Sequence, residues 1–123
     1  MQKIKILGVV AALMISFATL AQDKVETVKL EQTTGEFTTK TLKVKPGTYV
    51  FEVSNSNVDH EVGFVLAPKK ANIEAKDHIQ KAYLSKTINT GETASSQEVT
   101  LEKGEYVYFC PLNPTPQYTL IVE

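Results

Sequence analysis

The chain has 123 residues, of which 42% are hydrophobic and 22% charged, with a formal net charge of −1. Its 13 basic residues are all lysine. Guanidinium forks are the preferred readers of phosphates and base edges, so an arginine-free, weakly acidic chain is a poor nucleic-acid binder. The length holds one small domain and excludes an enzyme with a separate cofactor domain.

Met1 to Lys5 carries two lysines, and the run Ile6 to Leu20 is almost wholly apolar. It closes with Thr19-Leu20-Ala21, before Gln22-Asp23. Small residues closing a short apolar run predict a signal peptide at 1–21, cut after Ala21. A membrane anchor needs roughly 20 apolar residues, so this run reads as export to the periplasm or beyond rather than as a span. The domain then covers residues 22–123, with 11 lysines against 14 carboxylates, a balance of −3. No membrane association is expected after cleavage.

Short alternating runs follow one another along the domain. Val28-Lys29-Leu30-Glu31 alternates, as does Phe37 to Val44, and Lys45-Pro46-Gly47-Thr48 then turns into the strand Tyr49 to Val53. A polar loop, Ser54 to Asp59, leads to His60 and the apolar run Glu61 to Leu66. Ala71 to Lys86 carries a partial helical stripe in Ile73, Ile79, Ala82, Tyr83 and Leu84, which predicts a short helix or an irregular crossover. His78 falls on that segment among charged residues and reads as a solvated helix histidine. Gln97 to Leu101, Tyr106 to Cys110 and Tyr118 to Val122 complete the strands. The segments 42–51 and 100–108 share one pattern of alternating strand, glycine turn and aromatic strand, so two hairpin-like units are expected. Strands at this spacing predict an all-β Greek-key sandwich of about eight strands.

Chemistry-bearing residues are few. Two histidines, one cysteine and no phosphate-loop or nucleophile-elbow motif argue against an enzyme. Cys110 beside His60 has the types of a thiol nucleophile and its base, yet nothing basic near Cys110 in sequence would activate it. A lone thiol in an exported protein is buried and inert, paired with another chain, or a ligand. Thiolate and imidazole at strand ends are donors suited to copper, which in blue-copper sites takes two imidazoles, one thiolate and a weak axial group.

Gly91-Glu92-Thr93 and the run Val99 to Pro111, with Lys103-Gly104-Glu105-Tyr106 before Cys110, resemble the C-terminal half of plastocyanin-type cupredoxins. Phe51 to Asn55 followed by Asp59-His60-Glu61-Val62 resembles the strand and loop that carry that family's first histidine. The resemblance implies a cupredoxin-like β-sandwich, with Cys110 as thiolate ligand and His60 as imidazole ligand. It departs in Cys110-Pro111-Leu112-Asn113-Pro114-Thr115-Pro116-Gln117, where Asn113 stands at the second histidine's position and Gln117 near the axial one. Two functions of different class follow as expectations. One is a copper binder with an altered site, possessing His60, Cys110, Gln117 and Asn113 and serving a redox or copper-delivery protein partner. The other is a metal-free binding or interaction module that has lost the redox site. A monomer is expected in either case.

Overall fold

The computed structural model describes residues 24–123, so the expected signal segment lies outside the described residues. Eight strands form two four-stranded sheets packed face to face, as the alternating sequence predicts. The first sheet takes β1 (Val25–Thr33), β2 (Glu36–Phe37), β4 (Gly47–Asn55) and β6 (Thr93–Leu101) in the order β2-β1-β4-β6. The second takes β3 (Thr41–Val44), β5 (Val65–Pro68), β7 (Gly104–Phe109) and β8 (Tyr118–Val122) in the order β3-β8-β7-β5. The pairs β1–β4 and β3–β8 are parallel and the other pairs are antiparallel. Among the described residues no helix is long and apolar enough to cross a membrane.

Three expectations need correction. The predicted strand Phe37 to Val44 is two strands, because the chain leaves the first sheet after Phe37 and enters the second at Thr41. The hairpin-like units are corners: β3 and β4 lie in opposite sheets, and so do β6 and β7. Within Glu61 to Leu66 only the end is strand, while Val62 makes a single bridge to Ile88. The crossover takes its irregular form, with two one-turn 3-10 helices at Ala75–Asp77 and Gln80–Ala82. Its backbone is drawn to the open strand edges, Ile79 N–H to Leu66 O at 2.8 Å and Ser85 N–H to Ser95 O at 3.0 Å. Those bonds close the side of the sandwich between β5 and β6 and compete with helix formation.

Alternation puts Phe51, Val53, Val99, Leu101, Tyr108, Leu120 and Val122 inside. At one end of the core Phe37 meets Phe64, Tyr108 and Tyr118 edge to face, with centroids 5.3 to 6.1 Å apart. Tyr108 is 1% exposed and donates its hydroxyl proton to Thr39 O at 2.6 Å. Burial, with Tyr118 adding to it, pushes the Tyr108 phenol up to about 12. The folded state therefore favours the neutral phenol over the unfolded chain, whose tyrosine titrates near 10. That stabilisation is complete below about pH 10 and is lost as pH rises toward 12. Tyr108→Phe is expected to cost about 1 kcal/mol at neutral pH through the lost hydrogen bond. Its denaturant midpoint should fall less steeply than the parent's between about pH 10 and 12. Parallel midpoints for the two proteins across that range would contradict the assignment.

Candidate functional site

Cys110 follows β7 and is reached by the 56–64 loop, which joins β4 to β5. Its side chain is fully buried, and Sγ accepts the Gly63 N–H at 3.3 Å. The loop after it is tied off locally. Cys110 N–H donates to Thr115 Oγ1 at 2.9 Å, and Thr115 N–H returns to Cys110 O at 3.3 Å. This reciprocal pair closes the turn and leaves Asn113 at its middle facing inward, 2% exposed, while Pro111, Leu112 and Pro114 stay in solvent.

Asn113 is engaged on both ends of its amide. Oδ1 accepts Gly35 N–H at 2.8 Å, and Nδ2 donates to Thr33 O at 2.9 Å and to Gln32 Oε1 at 3.0 Å. Gln32 in turn donates Nε2–H to Gly63 O at 2.7 Å. The turn that receives Asn113 depends on Gly35, whose φ of +76° is the left-handed region where a Cβ is strained. No buried side-chain nitrogen or oxygen among the described residues is left without a partner.

Among the described residues the other sequence candidates make no hydrogen bond to this network. His60 is exposed, and its Nδ1 is 3.0 Å from Glu61 O. What holds its loop is Asn55, a buried amide that donates to His60 O at 3.0 Å and to Ile88 O at 3.3 Å and accepts Val58 N–H at 2.8 Å. The loop residue against the sulfur is Gly63, three positions past His60, flanked by the buried apolar side chains of Val62 and Phe64. Gln117 is exposed. His78 sits half-buried beside the 3-10 turns, Nδ1 2.7 Å from Tyr83 Oη and its ring edge-on to Phe109 at 6.1 Å. Among the described residues no three histidine, cysteine, aspartate or glutamate side chains converge to hold an ion.

A trigonal blue-copper plane needs two imidazoles and a thiolate. Here a buried thiol meets a backbone N–H, the imidazole at 60 faces solvent, and the amide at 113 is committed to three partners. The donor set does not fit that group. Sequence reasoning singled out Asn113 and Cys110 but missed Gln32, Asn55 and Thr115. Gln32 was findable: it stands two residues after Leu30, on the inward register of β1, where alternation asks for an apolar side chain.

Residues 5–122 match the family described as a cupredoxin-like domain. No curated protein matches the chain. Solved structures that resemble it include auracyanin B, with a TM-score of 0.63 and 17% identity over 80% of this chain and 88% of that one. Auracyanin A, described as a blue copper protein of Chloroflexus aurantiacus, gives 0.64 and 16% over 81% of this chain and 100% of that one. Amicyanin from Paracoccus versutus gives 0.51 and 17% over 79% and 81%. At these identities the likeness is one of fold.

Proposed function

The chain belongs to the cupredoxin-like domain family, and from that premise we propose that it is an exported, non-enzymatic binding module that keeps the sandwich without a working redox site. One observation carries this reading. The amide at the position of the family's second imidazole is consumed by hydrogen bonds to Gln32, Thr33 and Gly35. A ligand cannot serve a metal and a buried network at once without leaving polar groups unpaired, each costing about 1–3 kcal/mol.

The surface offered to a partner is the 111–117 loop. Leu112 is 50% exposed, and three prolines there limit the entropy that a contact would remove. A protein partner with an apolar recess suits that surface. Periplasmic or secreted location follows from the residue pattern at 1–21.

A second reading has its own observation. Gly63 N–H donates to Cys110 Sγ at 3.3 Å, and His60 is on the same loop three residues earlier. Copper held by Cys110 and His60, with Gln117 and Asn113 as the further candidates on the loop after Cys110, would serve a redox or copper-delivery partner. Metal content decides between the two. The full chain, expressed with copper in the medium and purified folded, is expected to carry well below one copper per molecule. Stoichiometric copper, lost in Cys110→Ser, would establish the second reading instead.

A further inference from the structure

We infer that Gln32 and Asn113 form an amide clasp that holds the 110–117 loop closed by joining separate segments, the work a metal ion does in a metalloprotein. The comparison with a metal rests on the metal-free reading above, whereas the hydrogen bonds stand without it. The clasp joins three segments far apart in sequence. Gln32 lies near the end of β1, Asn113 lies 81 residues later in the loop after β7, and Gly63 belongs to the loop before β5. From Gly63 O the bonds run through the Gln32 amide to the Asn113 amide, then to Thr33 O and Gly35 N. Gly63 also donates its N–H to Cys110 Sγ, so the clasp and the buried thiol share a backbone anchor.

Two features mark this as a built device rather than incidental polarity. Gln32 and Asn113 are 0% and 2% exposed, and a buried amide without partners would be costly, so the pair persists because each satisfies the other. Moreover, the two Cys110–Thr115 hydrogen bonds fix the loop's own shape but stay within the loop. The side-chain amide of Asn113 supplies the bonds that tie the loop's centre to the β1–β2 turn. A coordinated ion does the same work in a metalloprotein by tying ligands from separate loops to one centre.

The thiol reports on the clasp. Cys110 is fully buried under the loop, so a thiol reagent reaches it only when that end opens. In native buffer Asn113→Ala, which removes three bonds and strands their partners, should speed Cys110 labelling on the order of 100-fold. Gln32→Ala should speed it about tenfold or more. Because the two residues share one bond, the double variant should be slower than the product of the single effects. Val99→Ala, on β6 opposite Tyr49 near the start of β4, is the control. It should lower Tm while leaving native-buffer labelling near the parent rate. If Asn113→Ala does not fold, Gln32→Ala carries the measurement.

Labelling at the parent rate in folded Asn113→Ala or Gln32→Ala, or effects that multiply independently, would overturn the clasp. Stoichiometric copper in the purified protein would overturn the metal-free reading instead, so the two failures are distinguishable.

Discussion

Asn113→His is expected to be colourless in the presence of Cu(II) and less stable than the parent in its absence. A neutral imidazole offers one donor and one acceptor, whereas Asn113 uses two donor bonds and one acceptor bond. At least one of Gln32 Oε1, Thr33 O and Gly35 N–H is then left unpaired in a buried place, costing about 1–3 kcal/mol. The larger ring adds about 1–3 kcal/mol of overpacking where the asparagine is only 2% exposed. Copper would not repay this. His60 faces solvent, and the loop segment against Cys110 Sγ is Gly63 between Val62 and Phe64, so an added imidazole still lacks its second equatorial partner. Visible absorption and thermal unfolding of one preparation check both halves. An intense mid-visible band, with Tm raised by copper, would mean that the 56–64 loop turns His60 inward.

Phe37→Ala should give the largest loss of stability. β2 has only two residues paired to β1, and its side-chain anchor in the core is the ring of Phe37, 0% exposed and set edge to face against Tyr108, Tyr118 and Phe64. Deleting a buried phenylalanine costs about 3–5 kcal/mol. A domain of this size has about 5–15 kcal/mol in all. The expected fall in Tm is roughly 15–30 °C. The β1–β2 turn would loosen as well, and with it Gly35, which donates to Asn113. Core and loop end are thereby coupled through one aromatic side chain. A fall of only a few degrees would show that the ring is not what secures β2.

Which parts were legible in the sequence has a physical reason. Period-two alternation places β1, β4 and β8, whose buried residues recur at every second position, and that pattern is local. Sheet membership is not local. Lys45-Pro46-Gly47 and Glu102-Lys103-Gly104 have the composition of hairpin turns, but the chain uses both as corners into the opposite sheet. The stripe Ile73, Ile79, Ala82 has helical spacing, yet its backbone groups are spent on the β5 and β6 edges, so only single turns form. At the site, residue types could nominate His60, Cys110, Asn113 and Gln117 but not where each side chain faces. His60 is turned out while Asn55 binds its carbonyl, and Asn113 is turned in because Thr115 closes the loop around it. The partner of Asn113 is 81 residues away, and no spacing rule joins them. The one local sign was a glutamine on the apolar register of β1.

Copper titration of the folded chain, followed by visible absorption, unfolding temperature and bound-metal analysis together, separates a hydrogen-bonded loop end from a metal centre. A ligand at 100 times its Kd stabilises a fold by about 2.7 kcal/mol, which a protein of this size registers as a clear rise in Tm. With Cys110 buried and Asn113 committed to Gln32, Thr33 and Gly35, the expected result is no thiolate-to-copper band, an unchanged Tm and no retained metal after desalting. A strong visible band that disappears in Cys110→Ser, with one retained copper per chain and a raised Tm, would contradict it.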